Sequence, residues 1–217
     1  MTISKTLSAL VAACAVTAGL SACTLPAGDT VAVPAPGGRD TATTQCQSAG
    51  LAAAIPSHEA AEPQLRIPQP PGWERTTMID SQFVRYTLVN RELIHDGFAP
   101  TVVVGLDTVP GQHAPDVLFE ANRYKLIHEG QVTDLNYTGG TVCGNPAETV
   151  TYTGSPNGQA ARPLTDLAIV IDGGDRTYFV NVVIQSRDDT NPTYQRDKQT
   201  ILSGFQAVPS GPAAQSV

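Results

Sequence analysis

The sequence predicts an α+β domain, an antiparallel β-sheet flanked by helices, and three observations carry that reading. Periodic segments follow in the order strands, helix, strands, helix, without the repeated strand-helix-strand units of a parallel sheet. Short connections such as Asp172-Gly173-Gly174-Asp175 have the residues that tight hairpins require. The aromatic side chains (1 Trp, 6 Tyr and 5 Phe) all fall between Trp73 and Phe205, so the residues that bury most area are confined to the last two-thirds of the chain.

Taken in order, residues 45–55 are Ala-rich and predict a short helix ending at Pro56. Leu65 and Ile67 alternate with Gln64 and Arg66 before Pro68, Pro70 and Pro71, which predicts a first, edge-type strand within 64–73. Strands follow over 83–89 and 101–106, the second β-branched and continuous enough to be covered on both faces. Pro115 suits a first helical position, and Ala114, Val117, Leu118, Ala121, Tyr124 and Ile127 recur at helical spacing, predicting an amphipathic helix to about His128. Four more strands are predicted over 131–137, 148–153, 165–171 and 177–185, with Ser155-Pro156-Asn157-Gly158 as a hairpin loop. In the last of these, Tyr178, Val180, Val182 and Ile184 share one face, and Thr177, Phe179, Asn181, Val183 and Gln185 share the other, so neither face is simply wet. Asn191-Pro192 opens a second helix with Tyr194, Ile201, Leu202 and Phe205 as its inward stripe and Gly204 near its end.

The 217-residue chain is 41 % hydrophobic and 15 % charged, too apolar and too weakly charged to be disordered throughout. Its 13 Lys and Arg against 20 Asp and Glu give a formal charge of −7. That balance excludes a sequence-independent nucleic-acid binder, which needs a surplus of cations to displace phosphate counterions.

The amino terminus reads as an export signal. Lys5 supplies a positive start, and residues 7–20 form a 14-residue apolar run. That run is shorter than the roughly 20 residues a membrane-crossing helix needs. Leu20-Ser21-Ala22-Cys23 resembles the bacterial lipobox, whose small residues admit the signal peptidase and whose Cys receives the lipid. Residues 1–22 are therefore read as a lipoprotein signal peptide. Cys23 becomes the mature first residue, with a thioether diacylglycerol and an N-acyl chain such as palmitate. The alternative is an ordinary secretory cleavage site that happens to carry a cysteine. Acyl chains contribute about 0.8 kcal/mol per buried methylene, enough in combination for stable anchoring. Loss of Lys5 with the signal moves the charge from −7 to −8, so headgroup attraction does not supply the attachment and the domain is expected to stand off the bilayer. Residues 23–43, rich in Ala, Pro, Gly and Thr, read as a lipid-anchored flexible tether, 44–208 as a single domain and 209–217 as a disordered tail.

Ile67-Pro68-Gln69-Pro70-Pro71-Gly72-Trp73, the strands FVRYTLV and APTVVVGL, and the closing Ile201-Leu202-Ser203-Gly204-Phe205-Gln206 resemble the LpqN-type lipoproteins of mycobacteria and related actinomycetes. The resemblance spans about 64–208. It implies a PsbP-like α/β/α sandwich, a cell-envelope address and a role in binding or assisting partners, without an established catalytic residue set. The cysteine pair of the mature domain is a departure from the family pattern.

That pair is Cys46 and Cys143, since Cys14 leaves with the signal and Cys23 is acylated. An even pair in an exported chain favours a disulfide over two free thiols. A metal site is the rival, but two Cys 97 positions apart with no His at ligand spacing argue against it.

No C-x-x-C, G-x-G-x-x-G, P-loop, G-x-S-x-G or H-E-x-x-H motif is present. His58, His95 and His113 fall in loops and His128 suits a helix C-terminus, so none is read as catalytic, and no metal or cofactor is expected. Trp73, Phe119 and Tyr124 are the candidate ligand-binding residues; a lone Trp among so few aromatics is more often core, and Phe119 and Tyr124 carry the same ambiguity. The chain is thus expected to be a non-catalytic, lipid-anchored envelope binding protein on the extracytoplasmic face, assisting the handling of an apolar or amphiphilic molecule such as a lipid or glycolipid. The alternative is a protein-interaction module that supports a membrane complex. A hydrolase would require Ser81, Ser155 or Ser186 to meet His95 or His113.

Overall fold

The computed structural model describes residues 46, 52–130 and 132–210. The expected signal peptide 1–22, Cys23, the expected tether 23–43 and, apart from residues 209 and 210, the expected tail 209–217 lie outside them. Ser210 is placed, and its hydroxyl donates to the Glu62 carbonyl.

A seven-stranded antiparallel sheet forms the centre. Its strands are β3 (Trp73–Thr76), β4 (Val84–Asn90), β5 (Thr101–Pro110), β6 (Thr133–Val142), β7 (Asn145–Gly154), β8 (Arg162–Asp172) and β9 (Arg176–Gln185), in the order β3-β4-β5-β9-β8-β7-β6. A small sheet of β1 (Ala52–Ala54), β2 (Gln64–Pro68) and β10 (Gln206–Val208) has the order β1-β2-β10. Helix α1 (Pro115–Glu129) packs on one face of the large sheet, and α2 (Pro192–Gly204) with the small sheet covers the other. The result is the α+β domain, an antiparallel sheet flanked by helices, that the pattern of elements predicts, arranged as the sandwich that the family resemblance implies.

Period-two alternation builds the main core. Tyr178, Val180, Val182 and Ile184 of β9 point to the α2 side, joined by Val102, Val104 and Leu106 of β5 and by Leu167, Ile169 and Ile171 of β8. Tyr194, Ile201 and Phe205 close that core from above. Helix α2 starts as read, with Asn191 Oδ1 accepting from the amides of Thr193 and Tyr194 and Pro192 inside the first turn.

Four readings are corrected. Within the Ala-rich stretch 45–55, Cys46 is helical but Ala52–Ala54 is a strand paired with Ile67 and its neighbours, because a free ladder edge on β2 outweighs the helix preference of three alanines; residues 45 and 47–51 lie outside the described part. Strand β2 is not an edge, since β1 and β10 flank it; its prolines fall at and beyond its end, where they interrupt no ladder. On β5 only the α2-side residues are fully buried, whereas Thr101, Val103 and Gly105 are half-buried. The largest departure is α1: of its predicted stripe Leu118 packs inward beside Phe119 against Ala168 and Val170, but Ala114, Val117, Ala121, Tyr124 and Ile127 face outward. The sheet beneath it presents Asp166, Glu148 and Asn181, and the helix turns Asn122 and Arg123 toward these polar groups.

Candidate functional site

Strands β6 and β7 extend past the cover that α2 provides, and the step between them is a cleft of about 470 Å³. Its floor is Ala147, Thr149 and Leu167, its walls are Gly140 and Thr138 of β6 and Leu202 and Ser203 of α2, and Cys46–Cys143 closes one end. The two cysteines form a disulfide with Cα atoms 5.1 Å apart. Cys143 and Gly144 both have positive φ, 52° and 80°, which makes the two-residue β6–β7 turn tight and demands glycine at its second position. Beside it the Ala207 amide donates to Cys143 Sγ at 3.2 Å, and Asn145 Nδ2 donates to the Ala207 carbonyl at 2.7 Å, so β10 is pinned to the hairpin.

The chemistry of this cleft is uncharged. Its hydroxyls come from Thr138, Thr141, Thr149 and Ser203, its amides from Gln199 and Gln206, and its apolar surface from Leu167, Leu202 and Phe205. Among the described residues no Asp, Glu, His, Lys or Arg lines it, and the described lining offers a surface with one greasy and one hydrogen-bonding side. A Cβ added to Gly140 would meet nothing within 4 Å, so this strand position leaves space where a ligand can approach the backbone.

A second polar cluster lies under α1. Asp166 accepts from Asn122 Nδ2 and Asn181 Nδ2 at 3.0 Å, and Arg123 pairs with Glu148. Burial pushes the Asp166 carboxyl up; the two asparagines oppose that shift and Glu148 adds to it. Burial likewise raises the Tyr152 phenol, with the Asp166 charge adding to it. This seam holds a helix on a sheet: Asp166 and Glu148 Oε2 are held by protein donors, whereas Glu148 Oε1 is buried without a hydrogen-bond partner among the described residues.

The three residues read as ligand contacts are not brought together. Trp73 is 2 % exposed and its Nε1 donates to Asp197 Oδ2 at 3.0 Å, so it is a core residue with its polar atom satisfied. Phe119 is buried against Ala168, Val170 and Phe179. Tyr124 is 63 % exposed, with its ring against His128. None of the three lines the cleft. The sequence feature that could have pointed to it is Gly139-Gly140 close before Cys143, on one strand and turn. The serine–histidine pairings required of a hydrolase do not form among the described residues: Ser81 Oγ accepts from the amides of Phe83 and Val84, Ser186 Oγ bonds the Asp188 backbone, and the His113 ring contacts the Pro110 carbonyl. Among the described residues no three His, Cys, Asp or Glu side chains converge as metal ligands would, and no helix is long and apolar enough to cross a membrane.

No family model and no curated protein matches the chain. Solved structures do. LpqN of Mycobacterium tuberculosis, described as involved in cell envelope biogenesis, superposes with a TM-score of 0.60 at 17 % identity over 73 % of this chain and 91 % of that one. The fold is that of LpqN. Two looser likenesses are cyanobacterial PsbP from Synechocystis (TM-score 0.45, 17 % identity, 74 % of this chain and 95 % of that one) and the Ran-binding protein Mog1p of Saccharomyces cerevisiae (TM-score 0.45, 14 % identity, 74 % and 97 %). A Cβ on Gly204 would lie 2.6 Å from Pro68 Cγ, so the closing helix and the proline-rich strand touch at a glycine.

Proposed function

We propose that this protein is a lipid-anchored cell-envelope binding protein that holds an uncharged amphiphile, a lipid or glycolipid, in the cleft beside Cys46–Cys143. The observation that carries the reading is the cleft itself, whose described lining combines an apolar wall with a hydroxyl- and amide-bearing wall and holds no charged side chain. Such a lining suits recognition without bond making. LpqN, whose fold the chain shares, is described as involved in cell envelope biogenesis, which supports an envelope address. Attachment is through acyl chains on Cys23, with the domain on the extracytoplasmic face.

The test is mass spectrometry of lipids carried by the protein purified from its native envelope, beside Gly140→Phe. The bulky ring enters open space and so fills the cleft while the fold is kept. An amphiphile carried by the parent and lost from the variant is the expected result; an empty parent protein refutes the reading. The observation that favours the second reading, a protein-interaction module for a membrane complex, is β6. It is an end strand of the large sheet, and residues 136–142 contain no Lys or Pro of the kind that blunts an edge. Crosslinking from β6 to a membrane protein with no lipid in the cleft would select it.

A further inference from the structure

The β3–β4 connection ends in an apolar tip. Met78, Ile79 and Phe83 are 88 %, 49 % and 54 % exposed. The loop is held in shape by Ser81, whose amide donates to the Val84 carbonyl at 3.0 Å and whose Oγ accepts from the Val84 amide at 2.9 Å. Its single charge is neutralised within the protein: Asp80 pairs with Arg75 at 2.5 Å, and that guanidinium also lies 4.3 Å over the Tyr86 ring. A soluble domain gains nothing by presenting three large apolar side chains on a stiff, neutral loop.

The sheet register says which way the tip points. Val84 lies beside Gly105, Gly105 beside Asn181, Asn181 beside Ala168, Ala168 beside Glu148, and Glu148 beside Gly139. From that row β4 runs back into the tip, and β6 runs forward into Cys143. The disulfide to Cys46 therefore sits at the same end of the sheet as Met78, Ile79 and Phe83, whereas Ile94, 55 % exposed, follows the other end of β4. The 22 residues 24–45 that precede Cys46 lead from this end toward Cys23.

We infer that Met78, Ile79 and Phe83 dock into the apolar boundary of the bilayer that holds the Cys23 anchor, so that the domain stands on its β3–β4 tip. The inference rests on the lipid anchor proposed above. Extended, 22 residues reach about 75 Å, so the tether by itself leaves orientation free. The chain is acidic, and the β8–β9 turn at the same end of the sheet carries Asp172 and Asp175, so charge attraction is not the source of the contact; burial of the apolar side chains of the neutral tip supplies it.

The test uses the full lipidated chain on vesicles of phosphatidylcholine brominated in its acyl chains, with Met78→Trp and Ile94→Trp as reporters. The one native tryptophan, Trp73, is buried and provides a constant background. The expected result is co-flotation of both variants with vesicles, a blue shift and loss of emission at position 78, and no change at position 94, unaltered by high salt. Co-flotation without quenching at 78, or equal quenching at both positions, overturns the orientation alone. Absence of co-flotation overturns the anchor reading and the orientation with it.

Discussion

Trp73 and Asp197, 124 positions apart, are joined by an indole N–H···carboxylate hydrogen bond of 3.0 Å that links the first strand of the large sheet to helix α2. Both residues are buried. Removing the acceptor strands a buried N–H, so Asp197→Ala is expected to cost about 1–3 kcal/mol, whereas Asp197→Asn, which retains an acceptor, costs less. Urea unfolding followed by Trp73 emission checks both; equal losses in the two variants would show that the bond does not matter.

The Cys46–Cys143 bridge closes a segment with a separation of 97 residues. Chain-entropy arithmetic for a loop of about 100 residues allows up to about 4.7 kcal/mol of stabilisation. Reductant is expected to lower the denaturation midpoint of the native protein, and Cys46→Ser together with Cys143→Ser to reproduce that shift and become insensitive to reductant. Two reactive thiols in the unreduced protein would remove the bridge from the account.

Glu62 and Arg85 form a two-pronged buried ion pair with contacts of 2.7 and 3.0 Å, tying the segment before β2 to β4. Burial alone would raise the Glu62 carboxyl, but hydrogen bonds from Arg85 and from the His58 amide outweigh it and hold it below its usual 4.5. A depressed carboxyl adds stability that is present above 4.5 and lost as pH falls through the lowered value. Arg85→Met, which leaves the carboxylate buried alone, is expected to cost about 3–5 kcal/mol at neutral pH, and Glu62→Gln with Arg85→Met much less. Thermal unfolding at neutral pH checks the order of the two.

Asp166 has the opposite sign. Its carboxyl is raised above 3.8, chiefly by burial, so it binds a proton more readily folded than unfolded, and its contribution falls as pH rises from 3.8 toward the raised value. Asp166→Asn removes that slope. The melting temperature of the variant minus that of the parent is expected to increase between pH 4 and pH 7; a flat or falling difference would show that this carboxyl is not raised.

Strand positions and both helices were legible because their signals are local: alternation in β9, the Asn191-Pro192 start of α2, and the glycines between β8 and β9. The proline-tryptophan element and the Gly-Phe end of α2 proved to be one contact, Gly204 against Pro68, with Trp73 bonded to the same helix. The outward turn of α1 was not legible. Helical periodicity identifies an apolar stripe without saying what the facing surface is, and here that surface carries Asp166, Glu148 and Asn181. The cleft is not legible for a related reason: it is a step between α2 and the β6–β7 hairpin, built from segments far apart in the chain, at Cys46, 138–149, Leu167 and 199–206.

Local pattern by itself determined the α+β class, the hairpin turns and the capped start of α2, because each depends on residues within a few positions of one another. Tertiary structure decided which face of α1 is buried, that β2 is central in its sheet, where Trp73 finds its hydrogen-bond partner and where the cleft opens. Those outcomes depend on what distant segments present to one another, and burial energies are settled only when both surfaces are in place.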